Sequence, residues 1–288
     1  MRGVSQNFLR LGLIFISCWL LNSCVTSPLP LSGKSFRVTR DVVYTPENWP
    51  IVLRADVYQP SSTSPAPAVL LVHGGAWRGK DGRWQMNSIA KQLARRGYPV
   101  VNVTYRIAPQ NQYPAQLDDM REAIRWIRKN AEIYHIDPDR IATFGYSAGG
   151  HLAALVALKD EQAHIKAIVA GGTPFDLTFY PGGDLIPAFL GGRKDEIPEV
   201  FRDASPLYHV KKNSPPIFIY QARRDHLVPP EHALRMQAAY ARYGPAPQIH
   251  WLPGGHISGF FLSGKVVDQA IDFLDRTLPG TPSTSSAF

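Results

Sequence analysis

Cysteine is nearly absent from this chain: of 288 residues only Cys18 and Cys24 are cysteine, and residues 25–288 contain none. That excludes a disulfide framework in the body and removes thiolates from any metal site. Histidine does not fill the gap, because His226 and His232, beside Asp225, have no Cys, His or Asp set at zinc-ligand spacing around them. No metal is therefore expected. Charge is also sparse, at 19% of residues. The net charge is +8, yet the lysines and arginines are scattered and no basic run interleaves with aromatics. That pattern reads as a solvated surface and gives no nucleic-acid partner. There is no repeat of fixed period and no low-complexity body, and a 44% hydrophobic content suits one large globular domain with a single core.

What the chain does have begins at its start. Arg2 and Arg10 precede an uncharged apolar run, Leu11 to Leu21, which is too short to span a bilayer comfortably and has the length of a signal-peptide core. It ends in Leu21-Asn22-Ser23-Cys24, which resembles the lipobox of bacterial lipoproteins, although Asn22 departs from the small residue usual there. The resemblance implies cleavage before Cys24, lipidation of Cys24, and an exported protein of the cell envelope held to a membrane by that lipid. A plain secretory signal or an uncleaved anchor is the alternative. The expected boundaries are a signal at 1–23, a Pro- and Ser-containing tether at 24–35, the folded domain at 36–280 and a disordered polar tail at 281–288.

Strand-like and helix-like stretches alternate after Phe36. Phe36 to Tyr44 and Ile51 to Tyr58 are β-rich and read as an antiparallel pair at a sheet edge. The continuous apolar runs Ala68 to Val72, Pro99 to Tyr105, Ile165 to Gly171 and Ile217 to Gln221 read as strands buried on both faces. Leu117, Met120, Ile124, Ile127 and Ala131 share one helical face. Met86, Ala90, Leu93 and Ala94 share another, ended by Gly97 in the C-cap role. Val267, Ala270, Ile271, Leu274 and Leu278 mark a last helix. Strand, helix, strand in this order predicts right-handed crossovers and a mostly parallel sheet covered on both faces. Residues 173–212 break the rhythm with paired glycines, prolines and phenylalanines, and are expected to form a flap that lines a pocket.

Within this frame stands Gly145-Tyr146-Ser147-Ala148-Gly149, between a short strand and an apolar helix. An ordinary helix N-cap serine would also satisfy the pattern. Held at a sharp strand-to-helix turn, however, a serine presents its hydroxyl at the top of a sheet. A serine needs a base, and the base needs an orienting acid. Asp225 follows one buried run and His256 follows the next, on Pro253-Gly254-Gly255-His256, which gives the chain order Ser147, Asp225, His256. Asp176 and Asp203 are weaker acids because they lie in the flap. After the first buried strand, His73-Gly74-Gly75-Ala76-Trp77 can turn backbone N–H groups toward an oxyanion. Gly75 and Ala76 are the expected donors with Ala148, and Gly74 is a less favoured one. His73 reads as a structural ligand of that loop and His151 as a partly buried packing residue. Trp77 and Tyr146 are expected to border the pocket.

Taken together, His73 to Trp77, Tyr105-Arg106-Ile107-Ala108-Pro109, Gly145 to Gly149, Asp225 and His256 resemble the hormone-sensitive-lipase-like and ferulic-acid-esterase-like carboxylesterases over residues 40–277. The resemblance implies an α/β-hydrolase fold with a mostly parallel eight-stranded sheet. It also implies hydrolysis of short-acyl, acetyl or feruloyl-type esters through an acyl-serine, with no metal or organic cofactor. Gln221-Ala222 stands where His-Gly is usual, a departure that touches strand packing more than catalysis. An ion pair of Arg106 with Asp118 or Asp119 is expected behind the site. An arylformamidase or oligopeptidase-like amide hydrolase is the alternative activity, and a binding lipoprotein that has only kept the fold is a remoter one.

Overall fold

The computed structural model describes residues 33–180, 182–261 and 263–279. The expected signal segment, Cys24 and nearly all of the tether lie outside the described residues, as does the tail. Among the described residues no helix is long and apolar enough to cross a membrane.

Eight strands form one sheet: β1 Phe36–Val43, β2 Arg54–Pro60, β3 Ala66–Val72, β4 Val100–Val103, β5 Ile136–Tyr146, β6 Ile165–Gly171, β7 Ile217–Ala222 and β8 Ile249–Leu252. Their spatial order is β1-β2-β4-β3-β5-β6-β7-β8. The edge pair β1–β2 is antiparallel, β2 meets β4 antiparallel, and every later pairing is parallel. The apolar runs become strands because both sheet faces are covered. Along β3, Val69 and Leu71 enter the core on one face, whereas Ala68, Leu70 and Val72 enter the core on the other.

Helices cover both faces of the sheet. On one face lie α1 Arg83–Arg96 and α8 Gly264–Thr277; on the other lie α2 Ala115–Lys129, α3 Ala148–Lys159 and α6 Glu231–Ala241. Helix α1 buries Met86, Ile89, Ala90, Leu93 and Ala94. It stops at Gly97, whose φ of 114° turns the chain left-handed so that its N–H reaches the carbonyls of Leu93 and Ala94. Helix α3 is different in kind. Eleven of its twelve residues are buried, so it is apolar all round and sits between the sheet, α2 and the 173–212 segment. Burying each large side chain there contributes roughly 1.5–3 kcal/mol. That core fixes the start of α3, and with it the turn at Ser147.

The 173–212 segment holds two six-residue helices, α4 Leu185–Leu190 and α5 Pro198–Asp203. Its Phe175, Phe189 and Phe201 point into the core. The last short helix, α7 His256–Phe261, follows β8.

Candidate active site

Every residue of the site stands just beyond the C-terminal end of a parallel strand: the 73–77 loop after β3, Ser147 after β5, Asp225 after β7 and His256 after β8. The turn at Ser147 is tight. A Cβ on Gly149 would lie 2.2 Å from the carbonyl oxygen of Val72 and 2.5 Å from that of His73, so only glycine lets α3 start this close to β3. Ser147 itself has φ 56° and ψ −126°, a strained conformation for a residue with a side chain. Its N–H donates to the Gly171 carbonyl at 2.8 Å, which anchors the turn to β6.

Ser147 Oγ lies 2.9 Å from His256 Nε2, and His256 Nδ1 lies 2.7 Å from Asp225 Oδ2. The Asp225 side chain is fully buried and, among the described residues, has no Lys or Arg partner; its Oδ1 accepts the N–H groups of Leu227 and Val228 at 3.0 and 2.8 Å. A carboxylate on one imidazole nitrogen fixes the tautomer that leaves the other able to accept the serine proton. The arrangement can therefore deprotonate Ser147 as it attacks.

The 73–77 loop is braced from within. His73 Nδ1–H donates to the Gly74 carbonyl at 2.7 Å, its Nε2 accepts from Gly82 N–H at 3.4 Å, and its ring stacks on Tyr105 at 4.5 Å. Burial pulls the His73 pKa down to about 4, so the ring stays neutral and structural. Gly75, Ala76 and Trp77 all have positive φ, at 112°, 55° and 57°. Among the described residues, the N–H groups of Gly75 and Ala76 donate to no protein acceptor. Ala148 opens α3, where the first N–H groups have no intrahelical partner. These amides are free for an oxyanion. A side chain at Gly74 would meet Ser147 Cβ at 3.4 Å, so this backbone runs directly beside the serine.

Beside the serine is a cavity of about 360 Å³. Tyr146 lines it as expected, but Trp77 does not. Trp77 is 2% exposed, stacked on Phe189 at 4.4 Å and donating to His151 Nδ1 at 3.3 Å. The two left-handed residues before its side chain turn the indole under the loop and into the core. The tryptophan at the cavity is Trp84, 68% exposed on the first turn of α1. The 173–212 segment lines a separate cavity, through Tyr180, Ile186 and Phe201, and not this one, whose apolar walls come from Leu227, Ile257, Phe260 and Phe261. The Phe–Phe pair was readable in principle, since it follows His256 at helical spacing.

Other placements are plain. His151 is fully buried rather than partly so, bonded to the Ala204 carbonyl at 2.7 Å. Asp176 pairs with Arg235, and Asp203 pairs with Lys159 on the surface, so neither reaches His256. Arg106 pairs with Asp119; Asp118 pairs with Arg121. His226 is exposed, and His232 is buried against Asp176 N–H at 3.3 Å. Gln221 does more than pack: its Nε2 donates to Asp225 Oδ2 at 3.1 Å, because the loop after β7 folds back over the strand's last residues.

A hydroxyl, a buried carboxylate and an imidazole, drawn in that order from the ends of three parallel strands, place the chain among the α/β-hydrolases. It belongs to the BD-FAE family, whose model matches residues 55–240. A truncated carbohydrate esterase from gut microbiota superposes with a TM-score of 0.79 at 24% identity, covering 87% of this chain and 99% of that one. Among curated proteins, Esterase LipC of Mycobacterium tuberculosis is 32% identical over 190 residues, 59% of this chain and 47% of its own length. Esterase LipQ of the same organism is 29% identical over 261 residues, 82% of this chain and 62% of its own length. The chain thus spans about half to three-fifths of these relatives.

Proposed function

We propose that the protein is a serine carboxylesterase. Ser147 Oγ attacks the ester carbonyl while His256 Nε2 takes its proton, and Asp225 orients the ring and stabilises the imidazolium. The amides of Gly75, Ala76 and Ala148 receive the oxyanion, each such donor typically contributing about 3 kcal/mol to the barrier. His256 then protonates the departing alcohol, and water repeats the sequence to release the acid and free Ser147. The observation that carries this reading is the continuous relay from Ser147 Oγ through His256 to Asp225, at 2.9 and 2.7 Å. The esterase names of the relatives support the choice of an ester over other acyl bonds.

The cavity supports an ester with an apolar arm. Trp84, Leu227, Ile257, Phe260 and Phe261 offer aromatic and aliphatic surface, and Gln85 is the one polar side chain on its wall besides Ser147, His256 and the Tyr146 hydroxyl. A short alkyl or a planar feruloyl-type group suits those walls better than a sugar rich in hydroxyls. The lipobox-like Cys24 supports export and lipid anchoring to the envelope.

Ser147→Ala should abolish hydrolysis of p-nitrophenyl acetate with an unchanged thermal melt; retained activity would overturn the assignment. A panel of acetyl, butyryl, hexanoyl and feruloyl esters, compared by kcat/KM, tests the apolar arm. Labelled palmitate should enter the wild type in a bacterial host and not enter Cys24→Ser.

A further inference from the structure

Asp225 must do two things: find donors for both its oxygens while wholly buried, and turn one particular oxygen to His256. Its four hydrogen bonds divide between these tasks. The loop amides of Leu227 and Val228 both bond Oδ1, while His256 Nδ1 bonds Oδ2. The fourth donor is Gln221, 1% exposed on β7, whose Nε2 bonds the same Oδ2 at 3.1 Å and the Val228 carbonyl at 2.9 Å. Both hydrogens of one side-chain amide are thus used, one on the acid and one on the loop that carries it.

We infer that Gln221 is a positioning residue for the proposed triad: it clamps the Asp225 carboxylate in the rotation that aims Oδ2 at His256. The inference rests on the esterase reading for its kinetic consequence, although the clamp itself is a matter of geometry.

The physical argument is one of degrees of freedom. Rotation about the Cβ–Cγ bond swings Oδ1 and Oδ2 together, so the two amides on Oδ1 and a donor on Oδ2 resist the same rotation from opposite ends. The Gln221 donor on Oδ2, which does not move with the histidine as that ring exchanges its proton, narrows the swing that remains. A neutral amide also does this without adding a charge beside the acid. The other titratable groups whose fields reach Asp225 are quiet at working pH. Burial raises Tyr146 and Tyr180 well above their ordinary range, and burial brings His232 down to about 4. Arg223, Arg224 and His226 on the same loop are exposed. Among the described residues, His256 is left as the one titratable side chain bonded to Asp225.

The test is Gln221→Glu, which keeps the shape and makes the donor titratable. Protonated, the new carboxyl can still donate to Oδ2; ionised, it loses the bond and repels Asp225. The expected result is kcat/KM near wild type at low pH with a new, reversible fall on the alkaline side. Gln221→Met removes the donor at every pH and should lower kcat about tenfold with KM little changed, without the new alkaline limb. Both are expressed per active site, titrated with a fluorophosphonate. A residue that merely packs the strand would lower the melting temperature yet leave the per-site kcat and pH profile as in the wild type, and that result overturns the inference. In the wild type the Gln221 side-chain amide resonances should shift with the titration of His256, and invariance would also overturn it. This last measurement needs neither variant to fold nor any ester to turn over. Failure of Ser147 to be labelled would instead sink the esterase reading alone.

Discussion

The Tyr146 hydroxyl donates to the backbone carbonyl of His256 at 2.6 Å. The residue immediately before the proposed nucleophile therefore holds the residue that would be its base, and the turn after β5 and the loop after β8 become one unit. Burial, with the nearby Asp225 charge adding to it, raises the Tyr146 pKa well above the phenolic range, so the donor keeps its proton at any working pH. Tyr146→Phe removes that bond and little else. It should lower kcat three- to tenfold, about 1 kcal/mol, with KM nearly unchanged. Steady-state kinetics on one ester checks this; an unchanged kcat would show that the β8 loop is held well enough without the bond.

The two tryptophans near the site should separate cleanly. Trp77 is sandwiched under the loop by Phe189 and His151, so Trp77→Leu should cost about 3 kcal/mol of stability and leave the order of preference among acyl chains as it was. Trp84 is exposed at the cavity, so Trp84→Ala should leave the urea midpoint within experimental error and raise KM severalfold for hexanoyl over acetyl esters. Finding both effects on one residue would contradict the placement of the cavity walls.

That exchange of roles marks what the chain's residues disclose by themselves. The order Ser147, Asp225, His256 and the glycine-rich loop are local patterns, each tied to a strand end, and an apolar run such as Ala68 to Val72 reads as a covered strand because nothing polar interrupts it. Trp77 against Trp84 is decided by backbone direction: positive φ at Ala76 and Trp77 turns one indole inward, and no side-chain pattern encodes that. Gln221 was equally hidden. A glutamine in a buried strand looks like packing until the loop after it folds back, and that fold depends on contacts across the sheet. The 173–212 segment lacks periodicity because its helices are only six residues long, so the inward aim of its phenylalanines rests on packing alone.

Acid should destabilise the fold along a definite course. His73, His151 and His232 are all buried, and burial brings each to about 4 from an ordinary 6.5. Their folded pKa lies below the unfolded one, so the unfolded chain binds more protons between these values, and stability is lost as pH falls through that window. Each ring contributes about 3 kcal/mol when the window is fully crossed. Urea midpoints should be flat above about pH 7 and fall with growing slope toward pH 4. His151→Gln can keep both bonds, to Trp77 and to Ala204, and should reduce that slope by about one proton. An unchanged slope would place the acid sensitivity elsewhere.

Behind the loop, Asp119 is fully buried and accepts three bonds, from Arg106 N–H and Nε at 2.8 Å each and from Trp49 Nε1 at 2.9 Å. Burial nevertheless raises its pKa, against the opposing pull of Arg106. Desolvation therefore outweighs the attraction, and the pair is worth little as a pair while being costly to break. Arg106→Met should cost about 3–5 kcal/mol by stranding a buried carboxylate, and adding Asp119→Leu should recover much of that. Activity should not recover with it. The loop carrying Arg106 also carries Ala108, whose N–H donates to the Trp77 carbonyl at 2.8 Å, so one loop joins the ion pair to the backbone next to Gly75 and Ala76. The double variant should melt well above Arg106→Met, short of wild type because Trp49 Nε1 and the Arg106 N–H lose their acceptor, and still show kcat reduced about tenfold, since an oxyanion donor moved by a few tenths of an ångström loses much of its value. Stability and kcat recovering together would mean that the pair serves only the fold.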